Sequence, residues 1–561
     1  EGRRELPPSV LAMLQLRMAE LPESARRALR AGSIFGGSFV EDAVAALLGQ
    51  PALTTAGELD DLVAREWLWQ NSELSRSGGR VYVFRHDLVR EAAYATLTDR
   101  DRVLGHRLAA DWLERSGESE AIVVAEHCDR AGDGRAVGWY RKAAEQAMEG
   151  NDLEACIERA SRAVACGASA ETLGEIRALQ AEAHNWRMEW SEAERCALEA
   201  MQCLPRGTPL WAHALHQRSW SASSMGRSKE VEELAGELLD GSRGQEFTRF
   251  HVLAYANVAS HLQRMSQREK ATALLRPLAL LEAPTDDVVA GTVAFALATW
   301  EFDEGNLSKA HALLTRAQDH FMSSGDLLRV ALAREAAHVT AVFMGDFERA
   351  AAGLRQLMQF ARAHGLRRFE IDARVDLALC LGLSGEHREA VRLIREAIAA
   401  YGQAQVFELL QSGNVLSRLL YLASDFAGAE REAARVLEQE GATPIQRVHA
   451  LAARAQALTA LHQIELGLEH ARQALALLDS IDVIDEWDAF VRLVHAEALH
   501  QSGDAEGARA AIRFAKERLL VRAALLDSPE FRATFLAKVP ENARTLRLSA
   551  LWLEEAPISA R

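Results

Sequence analysis

Three short stretches of the 561-residue sequence combine residue types that could do chemistry. Glu126-His127-Cys128 sets a thiol beside an imidazole and a carboxylate, the ingredients of an activated nucleophile. His213 and His216 stand three residues apart, a spacing at which one helix could offer two nitrogen ligands to a metal. Arg85-His86-Asp87 holds the residue types of a kinase catalytic loop in the wrong order. None of the three completes a site. Neighbours on a helix point apart, so His127 and Cys128 do not face each other. The two histidines lack further ligands nearby and read as packed or surface residues. The P-loop pattern G-x-x-x-x-G-K-[ST] is missing, because none of the six lysines (Lys142, Lys229, Lys270, Lys309, Lys516, Lys538) follows a suitable glycine. Neither H-E-x-x-H nor G-x-S-x-G occurs. The chain is therefore read as a non-enzyme, with no catalytic residue, no metal site and no cofactor of its own.

The elements that would position any site are helical. Hydrophobic residues make up 49% and charged residues 26%, a globular balance, and proline appears only 12 times. Alanine and leucine abound, which favours helix. The dominant signal is a repeat: a turn residue followed five positions later by a small apolar one. Gly150–Ala155, Gly305–Ala310, Gly345–Ala350, Gly385–Ala390, Ser424–Ala429 and Gly503–Ala508 carry it clearly. Met188–Ala193, Gly226–Val231, Ser266–Ala271 and Leu466–Ala471 carry weaker copies. The ten copies recur every 37 to 42 residues. Each repeat predicts a pair of helices. Around residue 305, Val289, Val293, Ala296 and Trp300 form one stripe and Leu307, Ala310, Leu314, Ala317 and Phe321 the next, with Asn306 as the cap between them. A hairpin of this kind cannot bury both faces, but a stack of them can. The pattern G-[ND]-x-x-x-A resembles the tetratricopeptide repeat, lengthened from the usual 34 residues.

Residues 1–145 lack the repeat. Three short helices are expected over 6–49, with Ser9 and Ser24 as caps and Pro22 as a break, and a further helix around Leu59, Leu62, Val63 and Trp67. Gly78-Gly79 predicts a tight turn into a strand at Val81–Phe84. Helices followed by a glycine-turned hairpin suit a winged helix. One long helical stretch is expected next, with Leu88, Ala92, Ala95, Leu104, Leu108 and Trp112 as its apolar stripe. The expected organisation is a winged-helix-like domain at 1–115, a helical bridge at 116–145, a solenoid at 146–525 and a helical cap at 526–561, all-α in class.

FRHDLVREAAYATL at 84–97, with DRDRVLGHRLAADWLE at 99–114, resembles the winged-helix segment of bacterial STAND-class signalling ATPases. SPEFRATFLAKVPENARTLRLSALW at 528–552 resembles the end of the same group. In that class a P-loop ATPase precedes the winged helix and a helical-repeat sensor arm follows it, often behind a Ser/Thr kinase or nucleotide cyclase. The resemblance implies a regulatory arm that binds a protein or small-molecule inducer, with ATP or ADP held in an upstream domain. By position it places His86 at the ADP phosphate; the local reading is a packed imidazole with Asp87 at a helix N-terminus. The alternative is a free-standing interaction scaffold without nucleotide dependence. Trp186, Trp190, Trp220 and Trp300 are either wedges between repeats or anchors for a partner on the concave face.

A net charge of −16 argues against broad nucleic-acid binding. Arg85, Arg90, Arg100, Arg102 and Arg107 are interleaved with Asp87, Glu91, Asp99 and Asp101, which weakens any phosphate footprint. No apolar run is long enough for a transmembrane helix, and six cysteines without C-x-x-C spacing read as reduced core thiols, so a cytoplasmic setting is expected.

Overall fold

The computed structural model describes residues 8–76, 79–244, 247–281, 285–403, 405–481 and 487–553. The chain divides into two compact units, one running to Ile176 and the other starting at Arg177. The class is all-α, with 29 helices among the described residues.

The first unit opens with α1 (Pro8–Ala19), α2 (Glu23–Phe35), β1 (Ser38–Val40), α3 (Glu41–Leu48), α4 (Ala52–Ala64), β2 (Leu68–Arg76) and β3 (Gly79–Phe84). The strands form an antiparallel sheet in the order β1-β3-β2, with Tyr82 opposite both Phe39 and Gln70. Only β3 was legible beforehand. Ser38–Val40 reads as a turn because three residues carry no alternation, and β2 is too polar to announce itself. Trp67 lies beyond α4 and is buried at the start of β2 rather than on the helix. Pro22, not Ser24, occupies the N-cap of α2, and Ser9 lies within the first turn of α1. Gly78 lies outside the described residues.

The expected single helix from residue 87 is two, α5 (Asp87–Ala95) and α6 (Asp99–Ser116), parted where Thr98 caps α6 by accepting from the Asp101 N–H at 3.2 Å. The buried face of α6 is His106, Ala109, Ala110 and Leu113, whereas Leu104 is half exposed. The stripe was mis-set because the inward face is carried mainly by alanine and a histidine, with Leu113 in place of Leu104. Two more helices follow, α7 (Ala121–Arg130) and α8 (Ala136–Glu149), and α9 (Leu153–Ala165) pairs with α8 as the first hairpin.

Nine further hairpins follow: α10 (Ala170–Trp186) with α11 (Trp190–Cys203), α12 (Pro209–Ser224) with α13 (Ser228–Gly241), α14 (Arg249–Arg264) with α15 (Arg268–Ala279), α16 (Asp287–Asp303) with α17 (Leu307–Ser324), α18 (Leu327–Phe343) with α19 (Phe347–Ala363), α20 (Arg367–Ser384) with α21 (His387–Ala400), α22 (Val406–Leu422) with α23 (Phe426–Leu437), α24 (Pro444–Ala460) with α25 (Ile464–Ile481), and α26 (Asp488–Gln501) with α27 (Ala505–Ala524). The end is covered by α28 (Pro529–Ala537) and α29 (Pro540–Trp552).

All ten turns share one geometry. The residue after the first helix is left-handed: Asn151, Met188, Gly226, Ser266, Gly305, Gly345, Gly385, Ser424, His462 and Gly503, with φ between 60° and 105°. At Gly305 its N–H donates to the Phe302 carbonyl at 2.9 Å, and the next N–H donates to the Glu301 carbonyl at 2.8 Å. This is the Schellman motif, which satisfies the carbonyls a helix end leaves open. Two assignments shift by this criterion. In the first repeat the turn residue is Asn151 and the small buried one Cys156, not Gly150 and Ala155. In the ninth the pair is His462 and Gly467, not Leu466 and Ala471. Asn306 sits at the N-cap as expected, but its amide donates to Glu301 Oε2 at 2.8 Å instead of capping. The small residues are buried because the two helices touch there. A Cβ at Gly467 would stand 2.4 Å from Thr459 Oγ1 on the partner helix.

Candidate ligand cavity in the solenoid

In the second unit the first helices of the hairpins from α10 to α24 line an inner space, and the array curls until distant repeats meet. Gln405 Nε2 donates to the Met188 carbonyl at 3.1 Å. Glu408 accepts from Ser224 Oγ at 3.4 Å and from Arg264 at 3.1 Å. Arg329 donates to Glu182 at 3.1 Å. At Gly226 the backbone comes so near Gly441 that an added Cβ would be 2.9 Å from its carbonyl oxygen. Further on, Thr534 Oγ1 donates to the Met344 carbonyl at 3.0 Å, which brings the end helices back onto the middle of the array.

This curvature encloses a cavity of about 470 Å³, walled by residues from α10, α12, α14, α16, α17, α18, α20, α22 and α24. That size suits a small organic molecule or a short peptide segment. Its walls are aromatic at Trp186, Trp220, Phe295, Phe302, Tyr401 and Phe407, and ionisable at Arg264, Arg329, Glu335, Arg368, Asp372 and Asp376.

The guanidinium groups are held in place. Arg368 lies 5.2 Å from the Trp220 ring, 5.5 Å from Phe369 and 6.0 Å from Trp186, and its Nε donates to Asp372 at 3.2 Å. Burial works against its charge, but Asp372, Glu335 and Glu408 outweigh that and hold its pKa above the ordinary value. Arg264 stacks over Phe407 at 4.0 Å. Arg329 pairs with Glu182 and Asp326. Burial opposes ionisation of Glu182, yet the His213 hydrogen bond and Arg329 prevail and keep its carboxyl well below the usual range.

Two carboxyls go the other way. Burial, then Asp372 and Asp376, pushes Glu335 well above the carboxylate range, and burial and Asp372 do the same to Asp376. Burial and Asp372 push Tyr401 up, and its hydroxyl donates to Asp372. Burial, followed by His213, lowers His216 to about 3, and burial lowers His261 well below its usual value, so both are neutral at pH 7. Glu335 Oε2, Glu408 Oε2 and Arg368 Nη1 are buried without a hydrogen-bond partner among the described residues.

The sequence-derived candidates divide. Trp186 and Trp220 line the cavity, their ring centroids 4.7 Å apart at 89°. Trp190 is buried behind Trp220 at 6.3 Å and is a wedge. Trp300 lies outside the cavity, beneath Arg268 at 5.1 Å. His86 occupies the N-cap position of α5 and is exposed. His213 is buried, 3.2 Å from Glu182, and His216 lines the cavity. No group of three or more ligating side chains among the described residues is placed to hold a metal ion. His127 shares a hydrogen bond of 2.9 Å with His106, whose other nitrogen meets the Tyr94 hydroxyl at 2.9 Å. Burial pushes the Cys128 thiol up to about 11, which leaves it a poor nucleophile. None of the six cysteines is in a disulfide. No described helix is long and apolar enough to cross a membrane.

The cavity itself was not legible in the sequence. Its residues come from eight repeats, one or a few from each first helix, so no single stretch of sequence carries the site.

No protein-family model matches the chain, and no curated protein is similar to it in sequence. Solved structures of similar outline include a Rap protein complexed with competence and sporulation factor, at 13% identity and TM-score 0.42, over 62% of this chain and 100% of that one. A STAND protein with a tetratricopeptide repeat sensor from Pyrococcus horikoshii is similar over 95% of this chain and 68% of its own, at 13% identity and TM-score 0.33. NprR in complex with its cognate peptide NprX is similar over 61% and 97%, at 12% identity and TM-score 0.39.

Proposed function

We propose that this chain is the sensor arm of a signal-transduction ATPase and that the solenoid cavity is where its inducer binds. The observation that carries the reading is the cavity: about 470 Å³, aromatic-walled, with buried polar atoms left without partners. Such atoms cost free energy unless something satisfies them, on the order of 1–3 kcal/mol each. The inducer is a small molecule or a peptide segment, and its binding shifts the curl of the array. The unit before it is read as a winged helix that relays this shift, with His86 exposed where an ADP phosphate held upstream would meet it. The nucleotide belongs to an upstream ATPase domain, and effector domains lie in the same gene product.

An immunoblot of source cells with an antibody to this chain tests the larger architecture. A band well above the mass of this chain is expected, and His86→Ala in that longer protein should raise its basal activity. A band at the mass of this chain would overturn the ATPase reading and leave the free-standing scaffold. In that case the same cavity remains the binding site, and nucleotide has no effect on it.

A further inference from the structure

The cavity walls carry unequal charge. Each guanidinium that faces the cavity is already engaged: Arg368 with Asp372, Arg264 with Glu408, and Arg329 with Glu182 and Asp326. Glu335 on α18 and Asp376 on α20 have no cation paired with them among the described residues. Glu335 Oε2 is buried with no hydrogen-bond donor, and so is Glu408 Oε2 across the cavity on α22. Two carboxyls without an ion-pair partner among the described residues and two unpartnered acceptor oxygens therefore face one space with aromatic walls.

We propose, on the reading that this cavity is the ligand site, that its ligand presents an ammonium or guanidinium group to Glu335 and Asp376. The acceptors call for N–H donors. Trp220 and Phe407 already carry Arg368 and Arg264, and Phe295 and Phe302 add aromatic wall that suits a cation on an apolar stem. An anionic ligand would be set against both carboxyls on the same wall. An apolar ligand would leave the acceptors unsatisfied.

Binding has a proton balance. Glu335 faces Arg368, Asp372 and Asp376 from α20 and Arg264 from α14, and burial holds its pKa well above the carboxylate range, which favours the protonated form. Burial and Asp372 push Asp376 in the same direction. A cation seated between them replaces their protons, so each carboxyl that ionises releases one proton to buffer.

The probe is agmatine, which carries both cationic groups, titrated calorimetrically into the whole chain at pH 7 in two buffers of different ionisation enthalpy. Binding with release of one to two protons is expected. Glu335→Gln and Asp376→Asn should each weaken it at least about tenfold, the size of a lost charge-assisted hydrogen bond. Both substitutions are isosteric with the neutral acid, so unchanged thermal unfolding confirms that they fold. Indole and adipate are titrated in parallel. If either binds and agmatine does not, the cationic assignment is overturned while the cavity stands as the ligand site. If none of the three binds, both readings are overturned. Agmatine binding without proton release, or untouched by either substitution, also overturns the assignment. A capped pentapeptide with one central arginine separates the sources: tighter binding than agmatine marks a peptide side chain, weaker binding a free amine.

Discussion

Replacing the turn glycines by alanine should separate two costs that the sequence merges. Five of the ten turns already hold a non-glycine residue at positive φ, so the left-handed conformation alone does not require glycine. Its cost for an L-residue is about 1–2 kcal/mol. At Gly385 and Gly503 an added Cβ meets nothing within 4 Å. Gly385→Ala and Gly503→Ala should therefore cost that much and no more. At Gly345, φ +81°, the Cβ would lie 2.7 Å from the Thr534 carbonyl oxygen and 3.0 Å from its carbon. At Gly226, φ +74°, it would lie 2.9 Å from the Gly441 oxygen. Backbone cannot swing aside as a side chain can, and overpacking adds about 1–3 kcal/mol. Gly345→Ala and Gly226→Ala should thus lose about 2–5 kcal/mol in total. Urea denaturation compares the four variants. Amide exchange locates the damage: Gly345→Ala should lose protection in α28, and Gly226→Ala around residue 441. Equal costs across all four, or α28 amides protected as before in Gly345→Ala, would refute the argument that these two glycines mark where the array touches itself.

The first unit should be acid-sensitive: burial lowers His106 from its ordinary 6.5 to about 4 and His127 to about 3. The unfolded chain then binds more protons than the folded one, so stability is full above pH 6.5 and falls as pH drops, by about 3 kcal/mol between pH 7 and pH 5. Circular dichroism melts across that range check it, and His127→Gln should flatten the dependence. Arg418 and Glu541 form a buried pair at 2.6 Å, 4% and 5% exposed, with Arg418 stacked 4.9 Å from both Trp487 and Phe490. Glu541→Gln alone should cost about 3–5 kcal/mol, whereas Arg418→Met with Glu541→Leu should recover most of it in a double-mutant cycle.

The repeat was legible because its signal is local. A left-handed turn and a small buried residue five positions on leave a mark that survives degeneracy, and Met188, Ser266 and Ser424 show how little of the glycine must remain. The ninth repeat slipped because Gly467, a poor helix former, does the work expected of Ala471. The sheet was mostly illegible, since β1 has three residues and β2 reads LWQNSELSR, with little alternation. The cavity was illegible for a different reason. Glu335, Arg368 and Glu408 each look like ordinary helix-surface charges, and only the curl that brings α18, α20 and α22 around one space makes them interior. Of the four tryptophans, spacing could not tell Trp186 and Trp220, which face that space, from Trp190 and Trp300, which do not.

The contact between Met188 and Gln405 closes a loop of 217 residues. An open stack of hairpins senses only its nearest neighbours, and its ends stay independent. Here the stack is a split ring, clasped where Gln405, Glu408 and Gly441 meet Met188, Ser224 and Gly226. Closing so long a chain costs about 5 kcal/mol of loop entropy, which the intervening repeats must lower by folding first. The clasp is thus the last part to form and the first to part. A guest that touches walls on both sides of the clasp would tie them together, so binding should slow its parting.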